Sequence, residues 1–96
     1  MLLFEWDDKK AQKNFVTHGI TFLDASTVFG DVKALRVFDV KHSQVEDRWL
    51  IIGKSVSGYI LVVVYTERPP NIRIISARRA NLNEREKYES QPKPQP

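Results

Sequence analysis

The sequence has no cysteine, which excludes disulfides and thiolate metal centres and suits a reducing compartment. Histidine is scarce. His18 and His42 stand far apart with no partner at metal-ligand spacing, so no metal site is expected. Glycine is equally thin: the four glycines are scattered at turns and build no Gly-rich phosphate loop, and no Gly-x-Ser-x-Gly nucleophile motif occurs. There is no long hydrophobic run either. The longest, Ile60-Leu61-Val62-Val63-Val64, has the length of a strand, far short of the ~20 residues that cross a bilayer. The opening Met1-Leu2-Leu3-Phe4-Glu5 lacks the basic segment and cleavage site of a signal peptide. The expectation is a cytoplasmic, soluble protein with no cofactor and no membrane partner.

What is present fits one small domain. Ninety-six residues leave no room for a second independent core. The expected boundaries are 1–89 for the domain and 90–96 for a disordered proline-rich tail. A hydrophobic content of 42% is ordinary for a folded protein, and a formal charge of +3 with a pI near 9.3 leans toward a polyanion or an acidic partner.

The hydrophobic period changes along the chain. Leu2 to Glu5 reads as a short strand. Asp7 or Asp8 then caps a helix that runs to about His18, with Gly19 as its left-handed stop. Thr21 and Asp24 resemble a capping box opening a second helix, Phe22 to Phe29. From Leu35 the pattern becomes strand-like: Leu35 to Val40, Glu46 to Val56, Tyr59 to Glu67 and Ile72 to Ala77, joined by short turns at Ser57-Gly58 and Pro69-Pro70-Asn71. Tyr59 to Glu67 is apolar on both faces and so reads as the central strand. Asn81, with Glu84 three residues on, caps a third helix reaching about Tyr88. The order predicts an α+β domain: strand, helix, helix, a three- to four-stranded antiparallel meander, helix.

The candidate chemistry gathers around arginine. Ile72-Arg73-Ile74-Ile75-Ser76-Ala77-Arg78-Arg79-Ala80 runs a stiff strand into an arginine pair, and the guanidinium fork matches phosphate. A single strand-end arginine commonly serves only solubility or a surface ion pair; the cluster of Arg68, Arg73, Arg78, Arg79, Arg85 and Lys87 points to an anion site. A helix-turn-helix is not supported, because the first two helices lead into sheet. The aromatic pattern of an RNA-recognition motif is missing too. One enzymatic route survives without a metal: RNA can be cut by its own 2′-hydroxyl if a protein supplies a base, an acid and cations for the phosphorane. His42 and Glu46 are the candidate base and acid. Arg48, Arg68, Arg78 and Arg79 are the candidate electrophiles, assisted by Lys54 or Tyr88. If Glu46 to Val56 is a strand, Glu46, Arg48 and Lys54 share a face, with Asp47 and Trp49 on the other. Trp6 and Trp49 read as packing residues rather than base-stacking platforms. A non-catalytic basic module that grips an acidic or amphipathic protein or nucleic acid would share these features.

The ordered set Phe4-Glu5-Trp6-Asp7, Asn14, His18-Gly19, Asp39 to His42-Ser43, Glu46 to Arg48, Ile52-Gly53, Thr66-Glu67-Arg68, Ile74 to Ala80, Glu84-Arg85 and Tyr88 resembles the BrnT family of type II toxins from Phe4 to Glu89. The resemblance implies a RelE-like fold and a ribonuclease that inhibits translation. It also implies neutralisation by a BrnA-type antitoxin with a ribbon-helix-helix segment, so that DNA is met only indirectly, through the toxin–antitoxin complex. Many relatives carry lysine where this chain has Thr17. Carried onto this chain, the catalytic set is His42, Glu46, Arg48, Arg68, Arg78 and Arg79; Lys54, Arg73, Arg85 and Tyr88 are the RNA-binding residues expected from the residue pattern itself.

Overall fold

Short polar caps divide the chain into its elements. The computed structural model describes residues 2–92. It contains β1 (Leu3–Glu5), α1 (Asp8–His18), α2 (Phe22–Ser26), β2 (Leu35–Phe38), β3 (Trp49–Lys54), β4 (Ile60–Arg68), β5 (Asn71–Arg79) and α3 (Leu82–Glu89), with single 3-10 turns at Thr27–Gly30 and Val40–His42. Asp7 caps α1 by accepting the Lys10 N–H at 3.0 Å. Gly19, at φ 72°, ends α1 and donates its N–H to Phe15, a left-handed conformation that favours glycine. Thr21 caps α2 through the Asp24 N–H. The second helix is shorter than the pattern implies: after Ser26 the chain tightens into the 3-10 turn, and the Thr27 hydroxyl bonds back to the Asp24 carbonyl, competing with helix continuation.

The sheet corrects the expected meander. It has five strands in the order β1-β5-β4-β3-β2, and β1 lies parallel to β5, pairing Leu3–Glu5 with Asn71–Arg73. Three residues at one end of a sequence carry no sign of a partner nearly seventy positions away. Side chains fix the pairing: Glu5 accepts from Asn71 at 3.0 Å and from Arg73 at 2.9 Å. The apolar strand β4 lies at the middle of the sheet, between β3 and β5.

Both faces of β4 are covered, by different elements. Leu61, Val63 and Tyr65 pack with Ile20, Phe22, Ala25 and Val28 under α1 and α2. Each fully buried large side chain there contributes about 1.5–3 kcal/mol. Phe29 joins this core between Phe4 and Tyr65, with ring centroids 5.1 and 4.9 Å away. Trp6 meets Phe22 edge-on, and Trp49 meets Phe38 likewise, as expected of packing residues. On the opposite face Val62 and Ile52 pack against Tyr88 of α3. A register shift between β4 and β5 at Val64/Tyr65 leaves Ile75 unpaired. Because strand side chains alternate, that extra residue lets Ala77 and Ile74, three apart, enter the same core.

Two polar groups tie the layers together. Asn14, buried on α1, accepts the Ala77 N–H and donates to the Ala77 and Ile20 carbonyls at 2.8 and 3.1 Å. Asp31 accepts the Tyr88 hydroxyl and the backbone N–H groups of Lys54 and Lys33, so it joins the 3-10 turn, β3 and α3. Gly53 lies beside it; a Cβ there would sit 2.8 Å from Val28 Cγ1, so only glycine lets the turn approach the strand. Of the expected 90–96 tail, the Gln91 amide donates to the Lys33 carbonyl, and residues 93–96 lie outside the described residues.

Candidate functional site

The sheet sorts the candidate residues into two groups. Nine residues of β4 run from Ile60 to Arg68, and at about 3.3 Å per residue its ends are roughly 26 Å apart. Arg68 and the loop after β2 lie at one end. Lys54, Arg78, Arg79 and α3 lie at the other, where β4 pairs Ile60 with Lys54 and Leu61 with Arg79. The six residues expected to form one catalytic set therefore cannot meet at a single phosphate.

At the loop end, the 39–48 segment is held by its own polar side chains. The Ser43 hydroxyl donates to the Asp39 carbonyl and accepts the Arg48 N–H at 3.0 Å, and the Asp39 N–H bonds the Arg48 carbonyl. β3 begins only at Trp49. Glu46 and Arg48 are thus loop residues, and the strand parity expected to align them with Lys54 does not apply. The Thr66 hydroxyl holds this loop to β4 by donating to the Asp47 carbonyl at 2.7 Å.

His42 is not simply solvated, although 59% of its side chain is exposed. Its Nδ1 lies 3.0 Å from Asp39 Oδ2. An Nδ1–H bonded to a carboxylate fixes the ring and leaves Nε2 as the exchangeable nitrogen. Arg68 donates to Glu46 Oε1 at 3.1 Å and reaches Oε2 at 3.3 Å. His42, Glu46 and Arg48 line one groove of about 480 Å³, together with Lys41, Gln44 and Val45. An oriented imidazole, a carboxylate and several cations converge there. The sequence reading missed Asp39 as the orienter of His42; its signal was the i, i+3 spacing ahead of a tight turn.

At the other end the cations differ in how far they are committed. Arg78 forms a two-pronged pair with Glu84, 2.7 and 2.8 Å. Glu84 also accepts the Asn81 N–H while Asn81 accepts the Glu84 N–H, a complete capping box. The Arg78 bonds hold the Glu84 carboxyl below the usual carboxylate range, and Glu84 raises Arg78 in turn. Arg79 instead lies over the Tyr59 ring, 4.2 Å from its centroid. Lys54, Arg79 and Arg85 line a cleft of about 340 Å³ with Tyr59 and Glu89.

Two expected RNA-binding residues are engaged within the fold. Arg73, half-buried, is paired with Glu5 at 2.9 Å. Tyr88 is 8% exposed, and its hydroxyl is given to Asp31; burial, and then that bond, push the phenol up to about 12. Among the described residues no three His, Asp or Glu side chains converge to hold an ion.

Residues 6–84 match the family model described as the ribonuclease toxin, BrnT, of type II toxin–antitoxin systems. The chain belongs to the BrnT family. No curated protein matches it. Among solved structures it is similar to the crystal structure of the Brucella abortus ribonuclease toxin, BrnT, at 24% identity and a TM-score of 0.65, with 84% of this chain and 99% of that one covered. That likeness is one of fold. As a BrnT-family member the chain is a ribonuclease toxin of a type II toxin–antitoxin system, with RNA as its target and an antitoxin as its partner. No described helix is long and apolar enough to cross a membrane.

Proposed function

We propose that this BrnT-family toxin is a metal-independent endoribonuclease whose chemistry is carried at the loop end of the sheet. The observation that supports this reading is the Asp39–His42 pair opening onto the groove that Glu46 and Arg48 line, with Arg68 bonded to Glu46. Glu46 takes the proton of the RNA 2′-hydroxyl, and that oxygen bonds the adjacent phosphorus. The bond from phosphorus to the 5′-oxygen breaks, and His42 returns a proton to the departing oxygen. The products are a 2′,3′-cyclic phosphate and a 5′-hydroxyl, with no water consumed. Arg48 and Arg68 stabilise charge on the phosphorane, and Asp39 steadies the imidazole and the charge it carries. Arg78 has a positioning role through Glu84 and α3.

The biological setting is part of the same proposal. The protein acts in the cytoplasm as a single domain, residues 1–89, on a RelE-like scaffold. It inhibits translation by cutting RNA, and a BrnA-type ribbon-helix-helix antitoxin neutralises it; DNA is contacted only through that complex.

The test is digestion of total RNA by purified protein in excess EDTA, with analysis of the new ends. Fragments ending in 2′,3′-cyclic phosphate are expected from the native protein, and their loss from Glu46→Gln and His42→Ala. A strict need for added magnesium, or full activity in both variants, would sink the proposed chemistry. RNA that is retarded on a gel yet never cut points instead to a binding module.

A further inference from the structure

The cleft at the α3 end takes no part in the chemistry proposed above, yet it is built to hold something. Its cations sit on rigid strand ends. Lys54 closes β3, with its backbone N–H bonded to Asp31 at 2.8 Å. Arg79 closes β5, and the next residue, Ala80, bonds the Ile60 carbonyl at 2.9 Å. Tyr59 is fixed across the turn by the bond from the Ser55 N–H to its carbonyl. Among the described residues neither Lys54 nor Arg79 forms an ion pair, whereas Arg68, Arg73 and Arg78 all do. Arg85 has only a long 3.7 Å contact with Glu89, both well exposed.

We propose that this cleft is a second RNA subsite, which takes one nucleotide of a single strand remote from the bond being cut. It rests on the reading of RNA as substrate. The guanidinium plane of Arg79 on the 43%-exposed Tyr59 ring makes a stacking platform for a nucleobase, a mode of binding indifferent to sequence. Lys54 and Arg85 neutralise the neighbouring phosphate. An acidic peptide would use the charges but leave the platform idle. Since the two sites are separated by about the length of β4, roughly 26 Å, only a strand of several nucleotides engages both. The subsite therefore governs how tightly longer RNA is held and not the bond-breaking step.

The experiment is direct binding of a 2′-O-methylated single-stranded RNA of roughly 12 nucleotides, which cannot be cut, read by fluorescence anisotropy across a salt series. Tyr59→Ala is expected to weaken binding about tenfold. Arg85→Gln should weaken it and lower the slope of log affinity against log salt by about 0.7. Lys9→Gln, outside the cleft on α1, should bind as the native protein does. Native-like affinity and slope in both cleft variants, with unchanged circular dichroism, overturns the proposal; so does unchanged RNA binding alongside lost antitoxin binding, which assigns the cleft to the protein partner. If either variant fails to fold, Tyr59→Phe and Lys54→Gln replace them. The first should bind normally and the second should lose slope, and no difference between them overturns the proposal. Native protein that never cuts RNA, with the binding differences intact, removes the catalytic reading and leaves this one standing.

Discussion

Arg68 and Arg78 are both paired arginines near strand ends, but at opposite ends of the sheet they do different work. Arg68 holds Glu46, a loop carboxylate, and both partners remain substantially exposed, at 45% and 38%. Arg78 holds Glu84, which is only 19% exposed and belongs to the cap that starts α3. The first pair can open when a phosphate competes for the guanidinium. The second cannot open without loosening a helix. A paired arginine is thus a substrate-binding group or a structural one according to what its carboxylate is attached to, and that attachment is visible only in three dimensions.

The strongest way to break the contrast is substitution at the loop end. His42→Ala or Glu46→Gln should lower the rate of RNA cleavage about 10²–10⁴-fold with little change in melting temperature; single-turnover cleavage beside a thermal melt checks both. Asn14→Ala should do the reverse, removing both backbone partners of Ala77 and costing about 3 kcal/mol, measured by urea denaturation. A native-like midpoint would show that water replaces the amide without penalty. Arg78→Ala should cost about 1–2 kcal/mol after allowance for solvent screening. Its cleavage rate per folded molecule should change far less than that of Arg68→Ala, and equal losses in the two would erase the distinction drawn above.

Acid sharpens the comparison further. Asp31 lies below its ordinary carboxylate value even though burial, its largest influence, pushes the other way; bonds from Tyr88, Lys54 and Lys33 outweigh it. Glu84 is lowered chiefly by Arg78. Groups lowered in the folded state contribute stability that is complete above their unfolded values, near 4, and lost as pH falls through the folded ones. Urea midpoints should therefore decline below about pH 5, and Asp31→Asn should flatten that decline; an unchanged slope would count against Asp31 as a source. The smallest effect belongs to Arg85→Ala, expected within about 0.5 kcal/mol of the native stability because its ion pair is exposed and long.

Local signals in the sequence carried much of this. The caps Asp7, Thr21 and Asn81, the stop at Gly19 and the doubly apolar β4 are governed by residues a few positions apart, and the structure has them where the pattern put them. Pairings across long separations were not legible: β1 beside β5, Asn14 on Ala77, Asp31 under Tyr88. The site divided along the same line. Arginine-rich strand ends advertise an anion, but strand parity misled at Glu46 and Arg48, because Ser43 and Asp39 bend that stretch into a loop. Tyr88, an aromatic among charged residues, looked available to RNA until its burial beneath α3 was seen.

The amide of Asn14 has a consequence beyond joining two layers. β1 shields only the first three residues of β5, so the rest of that strand would be an open margin to which any extended chain could attach. By answering both the donor and the acceptor of Ala77, one side chain of α1 imitates a neighbouring strand and closes the margin at its midpoint. Two copies therefore cannot zip together along this side of the sheet, and β2, the strand at the far border, is where an incoming strand would have to pair.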